Sequence, residues 1–251
     1  MRILALGALL TLAACGTPRP TPDGGSVDTS CGLDCDGQKL FGLLLNNCFE
    51  YSDGTSTVNP PALGVYVQDV FTLEGGVKTL RVVYSSGGQN KMTDYFAFPD
   101  RKLTLMRREY ANAQSVTWKD SNNTIVGVPW VADATPVTGT TADTTNTAYL
   151  VTSSSGQKQE STEYRVTATD SSSSELSVPA MTYTSGLTLL FNETPDHGAD
   201  GRRVFVPQVG FINFTTPFAL SGGTAMQYRL QAARSVDNAD AGGHVCGLGG
   251  P

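Results

Sequence analysis

Hydrophobic and polar residues alternate with a period of two over much of this chain. Thr162, Tyr164, Val166 and Ala168 interleave with Glu163, Arg165, Thr167 and Thr169. Met226, Tyr228, Leu230 and Ala232 interleave with Gln227, Arg229 and Gln231, and Leu80, Val82 and Tyr84 share one side of a third run. Val65, Val67, Phe71 and Leu73 are expected on one face of a fourth, with Asp69 the exception. Turn signals separate the runs: Glu74-Gly75-Gly76, Ser86-Gly87-Gly88, Ser154-Ser155-Gly156, Asp200-Gly201 and Ser221-Gly222-Gly223. Short strands joined by tight turns predict an antiparallel sheet with one face packed and one face wet. The expected fold is all-β, a curved antiparallel sheet or partial β-barrel in one domain. Gln38 to Leu45 and Leu103 to Tyr110 are the helix candidates, and both read equally well as strands.

Residues 120–147 depart from this rhythm. They are rich in Thr, Asn, Asp and Pro, with one apolar island from Ile125 to Val131. They read as a long excursion between two halves of the sheet, with Trp130 docked on the core or covering a barrel mouth, since a large aromatic seldom stays exposed.

The two ends differ in character from the middle. Arg2 is followed by an uncharged stretch from Ile3 to Ala14, too short to cross a bilayer. A basic start, an apolar run and small residues at the end predict a signal peptide over 1–14. Residues 16–30 are mostly Pro, Gly, Thr and Asp, which bury no core and predict a flexible tether. The β domain is expected over 31–246, followed by a disordered tail at 247–251.

The sequence Leu12-Ala13-Ala14-Cys15 resembles the lipobox of bacterial lipoproteins. That resemblance implies cleavage just before Cys15 and acylation of its thiol and its new amino group. One myristoyl chain binds a membrane only marginally, and two or more chains anchor stably. Gly16 stands where an aspartate favours inner-membrane retention in well-studied Gram-negative bacteria, so the resemblance implies the outer membrane.

Charge narrows the partners. Only 16% of residues are charged, and the net charge is -6. The basic residues cluster no further than the pairs Arg107-Arg108 and Arg202-Arg203, so no face is expected to neutralise nucleic-acid phosphates. With Cys15 committed to lipid, Cys31, Cys35, Cys48 and Cys246 form an even set that predicts two disulfides in an oxidising compartment. Each of the three connectivities ties Cys246 to the segment 31–48, closing a loop worth about 5 kcal/mol in the chain-entropy model.

Candidate chemistry is sparse. Neither Gly-x-Ser-x-Gly nor His-Glu-x-x-His occurs. The two histidines, His197 and His244, both lie in Gly-rich segments that read as mobile, which suits a catalytic base poorly. Asp34 to Gly37, Asp170 to Ser174 and Asp196 to Asp200 offer oxygen ligands, but turn chemistry explains each. No catalytic residue, metal site or cofactor is expected.

A second resemblance covers about residues 40–233. Val178-Pro179-Ala180-Met181-Thr182-Tyr183 and Arg203-Val204-Phe205-Val206-Pro207-Gln208-Val209-Gly210-Phe211 are similar to a poorly characterised family of exported bacterial antiparallel β-sheet proteins. Its members carry a Val-Pro-Ala-Gly tract and a Pro-x-Val-Gly tract, and some hold apolar cargo. Pro179 is expected at a strand start, and Gly210 at a bulge or close backbone approach. The expected function is therefore an outer-membrane lipoprotein, not an enzyme, that binds or scaffolds an envelope protein partner. The alternative is a periplasmic carrier of lipid or another apolar ligand.

Overall fold

Burial in the computed structural model follows the period-two pattern. The structure describes residues 32–54, 56–58, 61–131, 137–152, 156–197, 200–216 and 226–235. One short helix, α1 (Cys35–Phe41), precedes strands β1 (Asn47–Ser52), β2 (Leu63–Thr72), β3 (Lys78–Ser86), β4 (Gln89–Ala97), β5 (Thr104–Tyr110), β6 (Ser115–Lys119), β7 (Val128–Pro129), β8 (Thr141–Thr152) and β9 (Gly156–Asp170). After them come α2 (Ser173–Leu176), β10 (Ser177–Val178), β11 (Met181–Thr182), β12 (Leu187–Thr194), β13 (Gly201–Val206), β14 (Gly210–Thr216) and β15 (Met226–Ser235).

The main sheet closes on itself. Its order runs β4-β3-β2-β1-β15-β14-β13-β12-β9-β8-β6-β5, and β5 pairs back onto β4. All these pairings are antiparallel, so the fold is all-β, a closed barrel of twelve strands in a single domain. Among the described residues each strand of the ring thus has a neighbour on both sides, and β7 attaches beside β5. The join between the two ends of the chain is β1 against β15, where Asn47 faces Ser235. The tiny β10–β11 hairpin stands apart from the ring. Pro179 lies in its turn, not at a strand start.

The inward face is apolar and the outward face of the longest hairpin is polar. On β9, Thr162, Tyr164, Val166 and Ala168 are buried, while Gln157, Gln159, Glu163 and Arg165 are exposed. On β8, Asp143 and Thr145 are exposed, and Arg165 pairs with Asp143 at 2.6 Å. A lipid-facing barrel wall needs an apolar outer band instead. No described helix is long and apolar enough to cross a membrane.

Two further expectations needed correction. The register of β2 shifts between Val67 and Asp69, a β-bulge that flips the alternation. Asp69 therefore points outward to Arg81, and Val70 takes the inward place opposite Leu80. Phe71 and Leu73, expected beside Val65 and Val67, lie outside the barrel, where Leu73 packs with Tyr95, Ala97, Met106 and Ile125. The excursion is also shorter than expected, because β8 already begins at Thr141. Of the two helix candidates, residues 103–110 fold as β5, and α1 forms at the start of the other.

Local chemistry explains α1. Asp34 caps its N-terminus by accepting the Gly37 N–H at 3.1 Å. Gly42 ends it in the left-handed region at φ 69°. Gln38 is fully buried and satisfied, accepting from the Leu33 N–H at 3.0 Å and donating to the Leu43 carbonyl at 3.0 Å. The helix covers one end of the barrel. Its Phe41 ring enters the core, and the Gln208 N–H donates to the Leu40 carbonyl at 2.7 Å. Gly210, with φ 104°, approaches Phe41 so closely that a Cβ would stand 3.0 Å from the Phe41 carbonyl oxygen, the close approach expected there.

Candidate functional site

Aromatic side chains fill the barrel interior. Phe41, Phe96, Trp118, Trp130 and Phe205 are all within 1% of complete burial. Trp130 arrives there because β7 takes the stretch of β5 that β6 leaves free, with Leu105 opposite Val128. The Trp130 backbone N–H then donates to the Leu103 carbonyl at 2.7 Å, and its ring packs on Phe96, Phe191 and Phe211. Tyr164 locks this segment by donating to the Pro129 carbonyl at 2.6 Å.

Three polar clusters interrupt the aromatic packing. In the first, Arg108 clamps Asp94 in a bidentate pair at 2.6 and 2.7 Å. Burial works against the Arg108 charge, but the adjoining carboxylate outweighs it and the pKa is raised. In the second, Arg203 stacks on aromatic faces, its guanidinium carbon 3.8 Å from the Trp130 ring centre and 4.8 Å from that of Phe191. Burial, and then the repulsion of Arg108, push its pKa down to about 10.

The third cluster surrounds Glu193. Its carboxylate accepts from Trp118 Nε1 at 2.7 Å, Thr162 Oγ1 at 3.2 Å and the His197 N–H at 2.7 Å. The His197 ring lies between two carboxylates, with Nδ1 3.3 Å from Glu193 and Nε2 3.0 Å from Glu160. His197 is only 7% exposed, although its glycines alone suggest a surface position. Glu193 is four residues before it in sequence, whereas Glu160 on β9 is distant and is brought to the ring by the pairing of β9 with β12.

A much roomier depression lies outside the barrel. A cleft of about 350 Å³ lies across the outer faces of β5, β6, β8 and β9, lined by Glu74, Arg107, Ser115, Thr117, Lys119, Asn123, Tyr149, Val151, Gln157 and Gln159. Lys119 crosses its floor, paired with Glu74 and 4.9 Å from the centre of the Tyr149 ring. The Lys119 hydrogen bond and charge hold the Glu74 carboxyl below its ordinary range. Arg107 pairs with Glu109 at 2.7 Å, while its buried Nε has no hydrogen-bond partner among the described residues. Hydroxyls, amides, one aromatic face and both charge signs thus converge on one depression.

The remaining candidates fare unevenly. Cys35 and Cys48 are both disulfide-bonded, at the start of α1 and in the core of β1. Cys15, Cys31, Cys246 and His244 lie outside the described residues, as does the tether, so the clamp on Cys246 stays an expectation. Asp34 is a helix cap, and the serines after Asp170 lead into α2, where Ser172 and Glu175 form a capping box. Asp200 accepts from the Glu193 backbone N–H, and Asp196 from that of Asp200 at 3.4 Å. Sequence reasoning missed Arg108, Arg203 and Glu193. The signal for the arginines was present, because pleating sends the two members of each adjacent pair to opposite faces. Arg107 and Arg202 face out, and Arg108 and Arg203 face in.

No family model, no curated protein and no solved structure matches this chain.

Proposed function

We propose that this protein is a lipid-anchored, non-catalytic binding component of the bacterial outer membrane, and that it binds through the outer cleft of its barrel. The observation that carries the reading is the contrast between the two sides of the wall. The described interior keeps a cavity of only about 30 Å³, whereas the outer cleft offers about 350 Å³. Ligand sites for small molecules run to about 300–1,000 Å³, so the cleft has the size of a binding site and the interior does not. The carrier alternative needs room for an acyl chain inside the barrel, and the cavity lined by Phe41, Phe96, Trp130 and Phe211 is far smaller than that.

The chemistry of the cleft favours a polar ligand. Ser115, Thr117, Asn123, Gln157 and Gln159 both donate and accept hydrogen bonds, and Tyr149 adds a flat face. That set suits the hydroxyls and amides of a glycan or of an exposed peptide segment. The anchor rests on the lipobox-like Cys15, and the tether gives the domain reach above the bilayer.

Photo-crosslinking in intact cells tests the cleft. A photoreactive residue at Gln159 is expected to give a discrete adduct with an envelope component. Combining Tyr149→Ala with Lys119→Ala should reduce it tenfold or more, equivalent to about 1.4 kcal/mol. Equal adduct yields with and without the two substitutions would refute the cleft as the binding surface. The anchor is tested separately by palmitate labelling, which Cys15→Ala should abolish.

A further inference from the structure

We propose that the barrel interior holds a halide-sized monoanion between Arg203 and Trp130. Arg203 is 3% exposed and forms no hydrogen bond or ion pair with a described residue, and its Nη1 is buried without a partner. Trp130 is 1% exposed, and its Nε1 is equally buried and equally unpartnered. Both side chains line the same internal cavity of about 30 Å³ beneath α1. Two orphaned N–H donors, one of them cationic, thus border one small void.

The interior carboxylates are already committed. Asp94 is taken by both arms of Arg108, and Glu193 by Trp118, Thr162 and His197. Arg203 is left without a carboxylate of its own and beside a second arginine, since Arg108 sits 5.6 Å from the centre of the same Trp130 ring. Uncompensated buried charge is costly, and aromatic faces offset only a part of that cost.

Size and polarity narrow the occupant. The void exceeds the roughly 10–15 Å³ that one water needs, but it is far too small for a fatty acid or a nucleotide. A bound water also needs acceptors for its own hydrogens. The lining carries the hydroxyls of Tyr51, which donates to the Phe211 carbonyl at 2.7 Å, and of Tyr84, whose oxygens can accept from a water, beside the two N–H donors and the apolar surface of Phe41, Leu43, Val65 and Phe211. The unpartnered cationic donor of Arg203, with the indole N–H of Trp130 beside it, favours a spherical anion such as chloride or bromide over that water.

Bromide is the probe. Crystals of the full chain grown in sodium bromide should show an anomalous peak in contact with Arg203 Nη1 and Trp130 Nε1. In solution, the thermal midpoint of the full chain in a non-ionic detergent should rise by a few degrees when chloride replaces gluconate at equal ionic strength, as expected when a ligand binds only the folded state. Arg203→Met should abolish that difference. A water without anomalous signal at the site overturns the proposal. So do equal midpoints in the two salts, or a chloride effect that survives in Arg203→Met. If Arg203→Met does not fold, the bromide peak in the wild-type crystal decides alone.

Discussion

Trp118 donates its indole N–H to Glu193 at 2.7 Å, joining β6 to β12 through the middle of the barrel. Both side chains are fully buried, and the same carboxylate also takes Thr162 and the His197 backbone. Removing it would strand three donors at once. Glu193→Ala should therefore lower unfolding free energy by about 3–5 kcal/mol in urea titration, and Glu193→Gln by less, because an amide oxygen still accepts. Equal, small losses for both would mean that the cluster does not stabilise the barrel.

The two inward arginines should respond in opposite directions. Asp94→Ala leaves Arg108 charged and unpartnered, and should cost about 3–5 kcal/mol. Arg203→Met in a halide-free buffer removes a charge that has no carboxylate, and its effect should range from neutral to about 2 kcal/mol stabilising. Denaturant midpoints of the two variants check this directly. A large loss for Arg203→Met would assign the main stabilisation to its stacking on Trp130.

Much of the strand pattern was legible in the sequence, because a pleat needs only local alternation. Tyr164 and Val166, like Tyr228 and Leu230, face the core as their spacing demands. What local pattern hides is long-range. The bulge after Val67 moves Phe71 and Leu73 to the outside through a single change of register. Closure depends on Asn47 meeting Ser235, and the sheet could otherwise have stayed open. Of the candidate site, the outer cleft was not legible at all. Glu74, Lys119 and Gln159 come from separate turns and strands, and only the barrel gathers them. The glycines around His197 suggest an exposed loop, whereas contacts with Glu160 and Glu193 hold its ring in a buried place.

The end cap under α1 should be intolerant of a methyl group. A Cβ on Gly42 would stand 2.3 Å from the Val209 carbonyl oxygen, and the residue also sits at φ 69°. Gly42→Ala should lose about 2 kcal/mol or more, through backbone strain and a clash that neither chain segment relieves easily. Gly54, with nothing within 4 Å of its added Cβ, is the control, and Gly54→Ala should change stability by less than about 0.5 kcal/mol.

Acid should weaken the capping box of α2. Burial alone would raise the Glu175 pKa, but hydrogen bonds from Ser172 and the Arg202 guanidinium prevail and lower it below its ordinary 4.5. A carboxylate whose folded pKa is depressed stabilises above its unfolded value, and that contribution is lost as pH falls through the folded one. Glu175→Gln should therefore be less stable than wild type near neutral pH. The gap should close below about pH 4. A gap that is constant from neutral to acid pH would show that the charge contributes nothing.

Native mass spectrometry of the full-length protein, extracted from its own membranes in mild detergent, tests the central claim most directly. An anchored barrel with a filled interior predicts a polypeptide beginning at Cys15 with covalently bound acyl chains, and no further lipid released on collisional activation. An unacylated chain, or one lipid held non-covalently in a one-to-one complex, would contradict it.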